Sequence, residues 1–164
     1  DRTAMRRAHA YDAAYLHDVA HDDDMPVSPS EMSPEFSRHF RGLRLWLPLL
    51  VHGVAPFRAC LQEKLLLTRY FHNRVAELGF EVGPEPELSV ATYRYVPERG
   101  DANAFNQALL DAIHADGRVF VSSTTLGGQL TLRMAALVFR SHLDSIDLLL
   151  DILASSVERL ASTD

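Results

Sequence analysis

The sequence contains very little cysteine and very little lysine, and both scarcities restrict its chemistry. Cys60 is the only cysteine, so no disulfide can form within the chain, which fits a reducing compartment. Lys64 is the only lysine beside 15 arginines, so a reaction that needs a Schiff-base lysine must use Lys64 or a lysine from elsewhere. No apolar run reaches the roughly 18 to 20 residues of a membrane helix. The net charge of −6 disfavours a general nucleic-acid surface. We therefore expect neither a membrane nor a nucleic acid as partner.

The size and composition of the chain are those of a globular domain. Its 164 residues are enough to enclose a core, and 47% of them are hydrophobic and 23% charged. The chain opens with Asp1 and has no initiator methionine, so we expect it to begin inside a longer reading frame or after a cleavage.

Three segments differ in pattern. Residues 1–35 contain a polar stretch with three prolines, predicted as a mobile loop, after a region (2–16) that suits either a strand end or a short helical turn. Residues 36–79 are predicted to form linking helices. The first would span Glu35 to Leu47 and break near Pro48, and a long amphipathic helix would follow Pro56 and end at Gly79.

Residues 80–164 alternate between strand and helix patterns in the order β-β-α-β-β-α. This order predicts a small α+β domain, an antiparallel sheet with helices on one face. Asp101 is predicted to cap one helix that Gly117 closes. A capping-box pattern, Ser141-x-x-Asp144, is predicted to begin the last helix. The predicted strands are 80–82, 88–96, 119–124 and 129–138, the last two joined by a hairpin at Leu126-Gly127-Gly128.

The stretch from Ser33 to Leu50 combines arginines with large apolar side chains, which is unusual for a solvent-exposed helix. Its pattern is Arg38, Phe40, Arg41, Leu43, Arg44, Trp46. Together with the segments 12–16 (DAAYL) and 129–133 (QLTLR), it resembles the group II pyridoxal-phosphate decarboxylases, the family of aromatic-L-amino-acid decarboxylase. The resemblance covers nearly the whole chain and identifies it as the C-terminal portion of such an enzyme.

The resemblance implies a function that the chain does not carry alone. The complete subunit would have the aspartate-aminotransferase fold (fold type I), act in the cytoplasm as a homodimer and decarboxylate an L-amino acid to its amine. Pyridoxal 5'-phosphate would be bound by the upstream part of the enzyme, which supplies the Schiff-base lysine. We therefore expect the chain to be inactive by itself and to need the missing N-terminal part, the dimer partner and an amino-acid substrate.

The resemblance also implies roles for three residues. Tyr15 matches the loop tyrosine that delivers a proton to the substrate α-carbon after carbon dioxide leaves; residue type alone favours an ordinary half-buried aromatic. Ser37 matches a position lining the substrate pocket across the dimer interface, or is a polar residue at a helix start. Arg38 would reach the active-site mouth, whereas Arg41 and Arg44 would make structural ion pairs.

The remaining candidate residues suggest structural roles. Arg133 is expected to be at least partly buried and paired, Lys64 to extend a solvated head group, and Cys60 to be buried in a helix. His17 and His21 have helical ligand spacing but no evident third ligand, so the sequence predicts no metal site.

Two competing functions remain open. The β-β-α-β-β-α order also suits a non-catalytic interaction or regulatory module. Within the same family, aldehyde synthases couple decarboxylation to oxidative deamination; they tend to have phenylalanine at the position of Tyr15, so Tyr15 favours simple decarboxylation.

Overall fold

The computed structural model describes residues 1–9 and 39–162. Contacts between Cα atoms divide the chain into two compact units, Asp1–Val51 and His52–Asp164. In the described part of the chain, no helix is long and apolar enough to cross a membrane.

The first unit contains helix α1 (Arg2–His9) and most of helix α2 (Leu43–His52). The sequence of this region suited either a strand end or a short helical turn, and residues Arg2–His9 are helical. Helix α2 differs from the predicted helix at both ends. Residues 39–42 lie before it as a turn, and it continues through Pro48 instead of breaking there. Proline removes one backbone hydrogen bond, which this short helix tolerates. The helix ends at His52 and is followed by Gly53, where φ is +74°.

The long helix of the second unit, α3 (Ala55–Glu77), ends as predicted at Gly79. Gly79 has φ of +85°, the left-handed conformation that glycine adopts without steric cost. Its N–H donates to the carbonyl of Ala76 (3.0 Å), and the N–H of Phe80 donates to that of Val75 (3.3 Å). This pair of bonds is a Schellman motif, which turns the chain directly into the sheet.

The sheet has four antiparallel strands in the order β1-β2-β4-β3. The predicted hairpin is confirmed, because Leu126 pairs with Gln129 across Gly127 and Gly128, both with positive φ. Two helices complete the β-β-α-β-β-α order. The elements are β1 (Glu81–Val82), β2 (Val90–Arg94), α4 (Ala102–Asp116), β3 (Ser122–Leu126), β4 (Gln129–Ala135) and α5 (Leu143–Ala161).

The caps of the last two helices differ from each other. Asp101 caps α4 as predicted, accepting from the backbone N–H groups of Asn103 (2.6 Å) and Ala104 (3.0 Å). The predicted cap of α5 was wrong: the N-cap is His142, one residue after Ser141, and its side chain makes no capping bond. The Ser141 carbonyl instead accepts a hydrogen bond from Lys64.

One face of the sheet forms the core with helices α3, α4 and α5. Ala91 and Tyr93 of β2 and Leu132 and Met134 of β4 are buried on it, as the two-residue alternation of strands requires. Tyr93 contacts Phe71 of α3 edge to face, with ring centroids 5.0 Å apart. The helices contribute most of the remaining buried side chains: Leu67, Phe71, Val75, Leu109, Leu110, Ile113, Ile146, Leu149, Leu150, Ile152 and Leu153.

The opposite face, here called the polar face, carries Thr92, Arg94, Thr131 and Arg133. Arg133 is exposed there, which corrects the expectation that it is partly buried and paired. Its strand neighbours Leu132 and Met134 point into the core, so the intervening side chain must point away from it.

Candidate functional site

The three residues implied as functional, Tyr15, Ser37 and Arg38, lie outside the described residues, as do His17 and His21. The structure neither brings these side chains together nor separates them, so their roles remain predictions. The structure does describe the rest of the arginine-aromatic segment, from His39 to Leu50.

The apolar side chains of this segment are exposed. Phe40 precedes α2 and is 74% exposed, and Trp46 within α2 is 56% exposed. Helix α2 has no buried residue, although seven of its ten residues are Leu, Trp or Val. The Trp46 N–H donates to the Gly42 carbonyl (2.9 Å), so the glycine lies at the start of the first helical turn. The described part of the chain thus leaves a continuous apolar helix surface uncovered, which is unusual for a monomeric globular protein.

Lys64 contradicts the expectation of a solvated head group, because only 3% of it is exposed. Its ammonium donates to the carboxylate of Glu63 (3.1 Å), the carbonyl of Phe139 (3.4 Å) and the carbonyl of Ser141. An ammonium group has three donors, and here all three have acceptors. These groups, with the His142 side chain, form what we call the Lys64 clasp, which joins α3 to the segment between β4 and α5.

Charge is balanced within the clasp. Glu63 Oε1 lies 2.6 Å from His142 Nδ1, while Glu63 Oε2 faces Lys64. The hydrogen bond from His142, with a second from Lys64, holds the pKa of Glu63 below its ordinary value. Sequence reasoning missed the clasp because its partners lie more than seventy residues apart along the chain. The one available signal was a lysine in register with the buried Thr68 and Phe71.

The clasp also tests whether this chain can bind pyridoxal phosphate covalently. The cofactor needs a lysine amine that is free to form an imine with it. Lys64 is the only lysine of the sequence, and it is buried with every donor engaged. The residues present therefore do not fit the cofactor's attachment site. Within residues 1–9 and 39–162, no group of three or more His, Cys, Asp or Glu side chains could hold a metal ion either.

Cys60 lies on α3 and is partly exposed, so the expectation that it is buried was wrong. Leu61 beside it is also exposed, although the helical pattern placed it on the apolar face. The first two turns of α3 therefore contribute little to the core, which begins at Lys64 and Leu67.

No family model matches the chain. Curated relatives nevertheless match most of it. The chain is 31% identical over 139 residues to tyrosine decarboxylase 2 of Arabidopsis thaliana, an alignment covering 82% of this chain and 26% of that protein. It is 27% identical over 139 residues to phenylacetaldehyde synthase of Arabidopsis thaliana, covering 82% and 28% of the two chains. The chain thus spans about a quarter of the length of the curated relatives it matches.

A solved structure shares the fold. The crystal structure of Oryza sativa TDC with PLP and tryptamine superposes with a TM-score of 0.73 at 20% identity. The superposition covers 95% of this chain and 34% of that one. At this identity the match concerns the fold alone, and it confirms the architecture expected from the resemblance.

Proposed function

Because the chain belongs by sequence and fold to the group II pyridoxal-phosphate amino-acid decarboxylases, as a C-terminal portion of them, we propose that the protein containing it converts an L-amino acid to its amine. The observation that carries this proposal is the 31% identity to a tyrosine decarboxylase across 82% of the chain. Since that relative is named for an aromatic substrate, aromatic L-amino acids are the first compounds to test.

The cofactor would be held outside these residues. Lys64 is committed to the clasp, so the Schiff-base lysine and the binding site of pyridoxal phosphate belong to another part of the protein. The contribution of this chain is then a segment that approaches the substrate and a small domain that supports it. In this division, residues 1–35 end the large domain, 36–79 link the domains and 80–164 form the small domain.

Tyr15 is the residue that we propose for catalysis. Its phenol would give a proton to the substrate α-carbon after carbon dioxide has left, in a site closed to water. Ser37 would line the substrate pocket and Arg38 would stand at its mouth. These three roles rest on the match between the sequence and the family pattern.

The exposed surface of α2 supports the proposed partners. Burying an apolar side chain of leucine size is worth about 1.5–3 kcal/mol, so an uncovered row of them favours association. We propose that the remainder of the same polypeptide and the second subunit of a homodimer cover Leu45, Trp46 and Leu50. The single cysteine suits the reducing cytoplasm, where we propose that the enzyme acts.

The test is an assay of the protein encoded by the complete reading frame. With L-tyrosine, L-tryptophan and L-dopa, we expect release of carbon dioxide and the matching amine, and no reaction with D-tyrosine. Absence of amine from every L-amino acid tested would contradict decarboxylation and favour the non-catalytic module. Aldehyde and hydrogen peroxide as the main products would favour the aldehyde synthase, the alternative supported by the match to phenylacetaldehyde synthase.

Tyr15→Phe in that complete enzyme tests the proton donor. Because loss of a positioned acid typically costs about 10²–10⁴-fold in rate, we expect amine formation to fall by at least about 100-fold while aldehyde and peroxide rise. Tyr11→Phe, a change of the same kind four residues earlier, is the matched control. An unchanged ratio of amine to aldehyde in Tyr15→Phe would remove Tyr15 from the mechanism without affecting the decarboxylase assignment.

The isolated 164-residue chain tests the location of the cofactor. After incubation with pyridoxal phosphate and reduction with borohydride, we expect peptide mass spectrometry to find Lys64 unmodified. Stoichiometric pyridoxylation of Lys64 would contradict the proposal that the lysine lies elsewhere.

A further inference from the structure

The connection between β4 and α5 carries three consecutive apolar side chains that the described residues leave uncovered. Leu137 is 70% exposed, Val138 is 59% exposed and Phe139 is 64% exposed. A run of three large apolar residues in solvent is unusual on a folded domain, because each one forgoes the free energy that burial would provide. This run therefore indicates a surface that is covered by another protein segment.

The backbone of this run is held at both ends, so its exposure is not that of a loose loop. The Ala136 N–H donates to the Ser89 carbonyl (2.9 Å), which continues the pairing of β4 with β2. At the other end, Lys64 donates to the carbonyls of Phe139 (3.4 Å) and Ser141. A surface that is already ordered loses little conformational entropy when a partner covers it.

Two neighbouring elements of the clasp add apolar area to this run. Leu61 lies one turn before Lys64 on α3, and Leu143 begins α5; both are exposed. The guanidinium carbon of Arg140 lies 5.3 Å from the centre of the Phe139 ring, which is a cation–π contact. We call the five apolar side chains the Phe139 surface: Leu61, Leu137, Val138, Phe139 and Leu143.

The composition of the Phe139 surface favours a permanent protein partner. Permanent interfaces are more apolar than transient ones, and this surface consists of apolar side chains beside one arginine, Arg140. A membrane is disfavoured, because the chain has a net charge of −6 and lipid surfaces are commonly negative. A second copy placed face to face across a twofold axis would bring two Arg140 side chains together, and like charges repel.

The length of the relatives points to a partner that is always present. The chain spans 26% and 28% of the two curated relatives described above, so about three-quarters of such a polypeptide lies outside it. The second unit begins at His52, and Lys64 lies about 14 Å along α3 from Ala55. The Phe139 surface is therefore near the end of the small domain at which the chain arrives from the upstream part.

We propose that the upstream part of the same polypeptide packs on the Phe139 surface and covers it permanently in the complete protein. This inference takes the existence of the upstream part from the proposed function and adds the place where that part contacts the small domain. The Lys64 clasp then serves assembly, because it holds Phe139 and its neighbours in the position in which they are covered.

The test is photo-crosslinking in the protein encoded by the complete reading frame. The photoreactive residue p-benzoyl-phenylalanine replaces Phe139, and the irradiated protein is analysed on a denaturing gel and by peptide mass spectrometry. We expect a crosslink from position 139 to a peptide upstream of Asp1, in a product with the mass of one subunit. The same replacement of Phe120, which is 80% exposed and outside the Phe139 surface, should give no such crosslink.

Three outcomes would overturn the proposal. A product of twice the subunit mass would show that the second subunit covers the surface. A crosslink to a different protein would show a separate partner. A yield at position 139 no higher than at position 120 would show that nothing covers the surface.

Hydroxyl-radical footprinting of the unaltered complete protein keeps the outcome decisive if the photoreactive variant does not fold. Phe139 and Phe120 are both largely exposed in the 164-residue chain, so their oxidation rates should be similar there. In the complete protein, we expect Phe139 to react at least about fivefold more slowly than Phe120, because the centre of an interface is fully buried. Similar rates in the complete protein would contradict the inference.

Amine release is measured separately from both experiments, so the two proposals can fail separately. An active decarboxylase with an uncovered Phe139 would contradict this inference alone. A protein that covers Phe139 but releases no amine would contradict the proposed function alone.

Discussion

Replacing Lys64 with methionine tests the central claim about the clasp, that a buried ammonium holds α3 to the segment before α5. Methionine fills most of the lysine volume but donates no hydrogen bonds, so the carbonyls of Phe139 and Ser141 lose their partner. Hydrogen bonds to charged groups are worth about 1.5–3 kcal/mol each, whereas the pair with the partly exposed Glu63 adds little. The bond to Phe139 is long (3.4 Å) and contributes less than the bond to Ser141, so we expect the free energy of unfolding to fall by about 2–4 kcal/mol.

The assay is urea unfolding of the 164-residue chain, followed by circular dichroism. In thermal unfolding of the same chain, this loss of free energy corresponds to a decrease in Tm of about 5–15 °C. Arg69→Met is the matched control, since it removes a positive charge from an exposed position of the same helix and should change stability by less than about 0.5 kcal/mol. Cleavage by trypsin after Arg140, which lies inside the clasped segment, should become faster only in Lys64→Met. A loss below 1 kcal/mol with unchanged cleavage would refute the reasoning.

Three other predictions follow from described contacts. The pKa of Glu63 is lowered in the folded state, so its contribution to stability is present above its ordinary pKa of 4.5 and lost as pH falls through the lowered value. The stability difference between the wild type and Glu63→Gln should therefore shrink below pH 4.5 in unfolding titrations, and a constant difference would contradict this cause. The Tyr93 hydroxyl is buried without a partner among the described residues, so Tyr93→Phe should leave the free energy of unfolding unchanged or raise it by up to about 1 kcal/mol. A loss of more than 1 kcal/mol would reveal a partner for the hydroxyl. Asn106 is fully buried and bonds to both the N–H and the carbonyl of Tyr95, so Asn106→Ala should cost about 2–4 kcal/mol. A cost similar to that of Asn73→Ala, at an exposed position of α3, would argue against this anchoring.

Much of the small domain could be predicted from local sequence signals. Glycines at the ends of α3 and α4 and the Gly127-Gly128 pair need positive φ, and each marks a boundary where the structure has one. Asp101 caps α4 for an equally local reason, since its side chain reaches the N–H groups two and three residues ahead.

Features that depend on distant residues could not be predicted in this way. Lys64 looked like a surface lysine because nothing near it in sequence supplies the carbonyls that accept its hydrogen bonds. The start of α2 was misplaced because an apolar pattern rich in leucine does not show where the preceding turn ends. The exposure of Arg133, in contrast, could have been predicted from local sequence. The apolar residues on both sides of it, Leu132 and Met134, alternate with it along the strand and place it on the opposite, polar face. The candidate catalytic residues fall outside the described chain, so sequence resemblance remains their sole support.

The strand order has a consequence for folding. The pairs β1–β2 and β3–β4 each join neighbouring parts of the chain, so both can form early from local contacts. The seam between β2 and β4 instead brings Val90 beside Ala135, with α4 in the intervening connection. Closing that connection costs chain entropy before the seam buries Ala91, Tyr93, Leu132 and Met134. We expect formation of this seam to limit the folding rate, so that core substitutions along it slow folding, whereas changes in the Gly127-Gly128 turn mainly alter the stability of one hairpin.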